Sequence, residues 1–141
     1  MKDSAGKRPL VVLVEDDAQT RGALEAILDL EGYDVSACHT AAALISRLRF
    51  EAKPAVVILD LTLPDASGGR CLRAIRASSW ADVPVLILSA WGHLERFGLD
   101  ADQLLSKTCD PVTIARAVDR LARRHPSSST RRSDQPSGSR T

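Results

Sequence analysis

The short apolar runs of this chain end in residues of a particular chemical kind. Leu10–Val14 runs into Glu15-Asp16-Asp17, the run 55–59 into Asp60, the run 85–88 into Ser89, and the run 103–106 into Lys107. In an open parallel sheet such positions lie along one edge, where the carboxyl ends of the strands meet. Carboxylates, a hydroxyl and an ammonium should therefore share one crevice. Carboxylates brought together repel, and each resists ionisation. A divalent cation resolves that conflict, and Mg²⁺ in particular takes one or two carboxylates, keeps several waters and bridges to phosphate oxygens. A lysine beside it can pair with a phosphoryl oxygen as a point charge, and a serine hydroxyl can donate to another. One carboxylate is then left to attack phosphorus and form an aspartyl phosphate, with transfer assisted mainly by position and electrostatics.

The elements that would position these groups can be read from the same sequence. Leu10–Val14 is continuous, aliphatic and rich in β-branched residues, as a strand buried on both faces should be. A helix is predicted over 17–30, with Leu24, Ile27 and Leu28 at helical spacing, and Glu31-Gly32 stops it. Residues 33–38 form a second strand. Thr40 caps a helix over 41–50, and 55–59 form a third strand. The loop from Leu63 to Gly69 opens a helix to about Ser78, carrying Cys71, Leu72 and Ile75 on one side. Residues 85–88 and 103–106 are the fourth and fifth strands, with a short helix around 94–97 between them. Asp110-Pro111 starts a last helix with Ile114, Val118 and Leu121 as its apolar stripe. Five strand–helix alternations imply βαβ units and a three-layer (βα)₅ doubly wound α/β fold with a parallel sheet covered on both faces.

The chain has 141 residues, 44% hydrophobic and 26% charged, which suits one ordinary globular domain with a core of its own. The net charge of +1 gives no bulk electrostatic case for nucleic acid or membrane. The distribution is uneven: Arg131, Arg132 and Arg140 stand against Asp134 in 126–141, leaving 16 basic and 17 acidic residues before Pro126. That tail has no aliphatic residue, cannot offset the entropy of ordering, and is expected to be disordered. Its arginines could brush nucleic acid, but three arginines without aromatics read better as a solvated segment. Cys38, Cys71 and Cys109 form no C-x-x-C pair, which argues against a disulfide framework or zinc ribbon and for reduced thiols in a cytoplasmic protein. His39, His93 and His125 lack ligand spacing. No stretch is apolar for long enough to span a membrane.

The pattern VLVEDDAQTR, VVILDLTLPDASGG, LILSA and LLSK resembles the receiver domain of bacterial response regulators. The resemblance covers residues 9 to about 124. It implies an N-terminal extension over 1–8, a receiver domain over 9–125 and the tail 126–141. It also implies a flavodoxin-like strand order of 2-1-3-4-5. Position by position, Asp60 matches the phosphoacceptor, Ser89 the switch hydroxyl and Lys107 the phosphate-pairing lysine. Thr62 matches the position whose backbone carbonyl ligates the metal, and Pro64 and Gly68 the loop after the acceptor. The family's arginine five positions after the second metal acid falls on Arg21, so Glu15 and Asp16 match the Mg²⁺ pair with Asp60, and Asp17 begins the helix. Three departures stand out. Lys107 is followed by Thr108 where the family often has a proline on a cis bond, and the cost of a cis bond without proline favours trans here. Leu104 stands where an aromatic is common. The stretch from Ser89 to Lys107 is about one helical turn short, so the fourth helix, between strands four and five, should be shortened. Trp91, at the rim, would either shield an acyl phosphate or meet a partner, or else fill the space left by that shortening.

The bland readings are that Asp60 caps a turn, that Glu15 and Asp16 merely favour a helix start, and that Ser89 and Lys107 are idle strand-end residues. Five matches in order outweigh them. The expected function is a phosphoacceptor switch, not an enzyme, charged by a histidine kinase or histidine phosphotransfer protein. It would signal by contact with an unknown downstream protein, without a DNA-binding domain of its own, in an oligomeric state the sequence leaves open. The rival is a degenerate receiver acting as a phosphorylation-independent interaction module. A haloacid-dehalogenase-type phosphatase needs a second aspartate where Thr62 stands. A dinucleotide enzyme needs G-x-G-x-x-G and a serine hydrolase G-x-S-x-G, and both motifs are missing. Ending the chain at His125 should leave the thermal midpoint and phosphoryl uptake nearly unchanged. A large loss of stability in a melting curve of the shortened chain would show that the tail docks.

Overall fold

The computed structural model describes residues 7–50, 52–61, 68–90 and 101–124. Their order is β1 (Leu10–Val14), α1 (Ala18–Leu30), β2 (Asp34–Cys38), α2 (Ala41–Phe50), β3 (Val56–Asp60), α3 (Gly68–Arg76), β4 (Val85–Ser89), β5 (Gln103–Ser106) and α4 (Pro111–Arg124). The five strands form one parallel sheet in the order β2-β1-β3-β4-β5. The sequence expectation of a doubly wound α/β sheet in this order therefore holds. The short helix expected near 94–97, the shortened fourth helix, the 1–6 portion of the N-terminal extension and the tail 126–141 lie outside the described residues.

Burial follows strand position. Every residue of β3 and β4 is buried, whereas β5 at the edge is only partly covered. The aliphatic runs thus go to the centre, where both faces are covered. Alternate side chains of one strand serve two cores. Val12, Val14, Val57 and Leu59 face Ala41, Leu44, Cys71, Leu72 and Ile75 under α2 and α3. Val11, Leu13, Ile58 and Leu86 face Leu24, Leu28, Ile114, Val118 and Leu121 under α1 and α4. Each such buried aliphatic contributes roughly 1.5–3 kcal/mol.

Local chemistry sets the ends of the elements. Gly32 takes φ 97 after the Glu31 cap, a left-handed conformation that glycine adopts without cost, and so α1 stops there. α3 ends at Arg76, two residues before the expected Ser78, because the Ser78 hydroxyl bonds back to the Ile75 carbonyl (2.7 Å) and accepts from the Trp80 amide (3.0 Å). Arg76 donates to the carbonyls of Ala81 (3.0 Å) and Val83 (2.7 Å) and to Asp102 (3.1 Å). Asp102 also accepts from the Val85 amide (2.8 Å), while its own amide donates to the Val85 carbonyl (3.0 Å). The starts of β4 and β5 are thereby fastened to the end of α3.

Tyr33, expected in strand two, lies just before β2 and is buried. Its hydroxyl donates to Asp119 on α4 (2.9 Å), and Arg123 holds the other carboxylate oxygen (2.8 Å). Burial, then the bond to Asp119, pushes the phenol pKa up, so it remains a donor. Tyr33→Phe should cost about 1 kcal/mol, a fall of about 3–6 °C in a thermal melt. An unchanged midpoint would mean that water replaces the hydroxyl at no cost.

Candidate functional site

The crevice is built where the carboxyl ends of β1, β3, β4 and β5 come together. Val14 pairs with both Cys38 and Leu59, Asp60 with Leu88, and Ser89 with Ser106. The Glu15 amide continues the ladder to the Cys38 carbonyl (3.0 Å), which carries the chain one residue past β1 before it turns. Arg21 on α1 grips that turn, donating to the carbonyls of Glu15 (3.0 Å) and Asp16 (3.3 Å). The arginine that indicated the register of the acid pair thus holds its backbone in place. Asp17 points elsewhere. Its carboxylate accepts from the hydroxyl (2.7 Å) and amide (2.8 Å) of Thr20, and these bonds hold its pKa below the usual carboxylate range. It is the N-cap of α1.

Glu15, Asp60 and Ser89 are buried, at 0%, 2% and 3% exposure, while Asp16 is exposed. One carboxylate oxygen from each of Glu15, Asp16 and Asp60 lies within 4.8 Å of the others. Lys107 reaches in from the end of β5, its Nζ 3.0 Å from Glu15 Oε2 and 3.3 Å from Asp60 Oδ2. Its amide donates to the Ser89 carbonyl (2.7 Å), so its backbone is tied to β4. Glu15 Oε2 accepts a second bond, from the Asp17 amide (3.0 Å). Glu15 Oε1 is buried and has no hydrogen-bond partner among the described residues. An unsatisfied buried oxygen of this kind is costly.

The electrostatics follow from that geometry. Burial drives the Glu15 pKa up. The bonds from Asp17 and Lys107 oppose the rise, the Asp60 charge adds to it, and the net shift is upward. Burial also pulls the Lys107 pKa down, but the bond to Glu15 and the charges of Asp60 and Glu15 outweigh it, and the ammonium is held more firmly than usual.

The structure therefore brings together Glu15, Asp16, Asp60, Ser89 and Lys107, five of the seven expected site residues. Thr62 and Trp91 lie outside the described residues. Lys107 is flanked by Ser106, which the sequence did not single out, and by Thr108, which it marked only as a departure. Their hydroxyl oxygens lie 2.7 Å apart.

The structure is a doubly wound parallel sheet with acids, a serine and a lysine along its carboxyl edge. The response regulator receiver domain family matches residues 11–119, and the chain belongs to that family. It is 42% identical over 81 residues to the transcriptional regulatory protein KdpE of Mycobacterium tuberculosis, covering 57% of this chain and 34% of that protein. It is 32% identical over 136 residues to the transcriptional regulatory protein PrrA of Mycobacterium leprae, covering 94% of this chain and 58% of that one. The chain thus spans only part of the length of these relatives. Among solved structures, it shares the fold of the receiver domain of the sensor histidine kinase PA1611 from Pseudomonas aeruginosa, which has a magnesium ion coordinated in its active-site cleft. That similarity has a TM-score of 0.74, 22% identity, and coverage of 82% of this chain and 98% of that one. No helix among the described residues is long and apolar enough to cross a membrane.

The raised Glu15 pKa has a consequence for metal-free stability. A folded pKa above the unfolded one means that the protonated form favours the fold. That contribution is present below the unfolded value and is lost as pH rises through the folded value. Ionised Glu15 therefore costs stability at neutral pH. In chelator-treated protein at pH 7, Glu15→Gln should raise the thermal midpoint. Acidifying the wild type toward the Glu15 pKa should narrow the gap. A lower midpoint for the variant would show that the lost pairing with Lys107 outweighs the relief from burial.

Proposed function

We propose that this receiver domain is a phosphoacceptor switch in which Asp60 takes a phosphoryl group from a phosphohistidine on a histidine kinase or histidine phosphotransfer protein. The observation that carries the reading is the pairing of Lys107 with both Glu15 and Asp60 beside Glu15 Oε1, which has no partner among the described residues. A lysine already on the acceptor, next to that buried oxygen, is a site prepared for a cation and an anion together. The donor set is all oxygen, which suits a hard divalent ion such as Mg²⁺ rather than zinc. Glu15, Asp16 and Asp60 would hold it, with the Thr62 carbonyl as a further ligand. When bound, Mg²⁺ offsets the negative charge gathered on the transferring phosphoryl oxygens.

The residues of the chain divide the remaining work. An Asp60 carboxylate oxygen forms the new bond to phosphorus as the P–N bond to the donor imidazole breaks, and the electron pair leaves with the imidazole. Lys107 exchanges a carboxylate contact for a phosphoryl oxygen, and Ser89 donates its hydroxyl to another. Burial of Asp60 limits water at the acyl phosphate. The chain then acts by contact with a downstream protein and not as an enzyme with an external substrate. The acids paired with Lys107, with Ser89 at the end of the neighbouring strand, support this reading over the degenerate alternative.

Intact mass after incubation with a small acyl phosphate and Mg²⁺ tests the reading. One phosphoryl group should be added, labile to hydroxylamine, and Asp60→Asn should take up none. Asp16→Asn should weaken Mg²⁺ binding more than Asp17→Asn, whose carboxylate is spent on Thr20. Wild-type uptake by Asp60→Asn would overturn the assignment. A larger loss in Asp17→Asn would overturn the acid pairing.

A further inference from the structure

Lys107 carries a long, flexible side chain, and holding it in one place costs up to about 2 kcal/mol of rotamer freedom. Something must at least fix the backbone that presents it. On one side it is tied to Ser89 of β4. On the other, the chain folds into a four-residue turn in which the Cys109 amide donates to the Ser106 carbonyl (3.0 Å). Inside that turn the Thr108 amide donates to Ser106 Oγ (3.0 Å), and Ser106 Oγ and Thr108 Oγ1 share a hydrogen bond of 2.7 Å. The two hydroxyls bond each other across the turn, while the Lys107 ammonium between them in sequence bonds Glu15 and Asp60 instead. No peptide bond among the described residues is cis. This turn is shaped by side-chain hydrogen bonds, where a proline ring would impose the shape covalently.

We propose that Ser106 and Thr108 are positioning residues for Lys107: their shared hydrogen bond locks the turn that aims the ammonium at the acceptor carboxylate. The proposal rests on Asp60 being the phosphoacceptor. A merely structural pair would shape the start of α4, where Asp110 already caps by accepting from the Thr113 amide (2.9 Å). The two roles differ in what they couple to. A positioning pair acts through Lys107, and its effect disappears when the ammonium is gone.

The test is a double-mutant cycle on the full chain. With a small acyl phosphate at saturating Mg²⁺, Thr108→Val should slow phosphoryl uptake between about tenfold and a hundredfold, the range expected of a misplaced group. Thr108→Ser should restore the rate to within about twofold, since it keeps the hydroxyl. In a Lys107→Met background, Thr108→Val should cause no further slowing. A wild-type rate for Thr108→Val, or equal slowing in both backgrounds, would overturn the proposal. A second readout needs no phosphoryl transfer. The Lys107 amine, followed by mass spectrometry during reductive methylation, should react faster in Thr108→Val because it loses its carboxylate partners. If wild-type protein takes up no phosphoryl group and this acceleration is still seen, the phosphoacceptor reading falls and the clamp stands. If the amine reacts at the wild-type rate, the clamp falls.

Discussion

Everything at the crevice depends on one ammonium shared between two buried carboxylates. Glu15 and Asp60 sit almost without exposure at adjacent strand ends, where their repulsion and lost hydration act against the fold. Lys107 relieves part of this by touching both. It does not relieve all of it, since Glu15 Oε1 has no partner among the described residues and the Glu15 pKa stays raised. Such incomplete compensation is what a binding site requires. A crevice whose charges were fully matched would gain little from an incoming ion.

The scaffold can hold this arrangement because its two cores lie elsewhere. The aliphatic side chains of β1, β3 and β4 bury against α2 and α3 on one face and α1 and α4 on the other. The polar groups occupy only the edge where the strands end. The cost of the acids is thus confined to the last residue or two of each strand. Small devices fix the backbone beneath the acids: Arg21 holds the turn after β1 through the Glu15 and Asp16 carbonyls, and Asp17 caps the start of α1 while its amide steadies Glu15.

Much of this could be read from the sequence, because short apolar runs ending in polar residues carry both the strand positions and the edge on which the chemistry falls. Glu15, Asp16, Asp60, Ser89 and Lys107 were recognisable for that reason, and Asp17 was separable from the pair because the resemblance puts the family's arginine on Arg21, five positions after Asp16. What could not be read was set by bonds between side chains and by bonds from side chains to backbone. Composition does not show that Tyr33 would leave its strand for Asp119, that Ser78 would end α3 early, or that Ser106 and Thr108 would bond across Lys107. Hydroxyls and arginines have many possible partners, and only the folded geometry selects one.

The fastening of Asp102 gives the sheet a mechanical asymmetry. At the foot of β4 and β5, Val85 is held through both its amide and its carbonyl, and Arg76 braces the same carboxylate from α3. At the opposite end the two strands are joined through the Ser89 carbonyl and the Lys107 amide, beside the acids. The two ends thus differ in kind: the foot is braced by a third element through side chains, whereas the edge that carries the acids is held between β4 and β5 through backbone, and Lys107 shares its peptide anchor with Ser89.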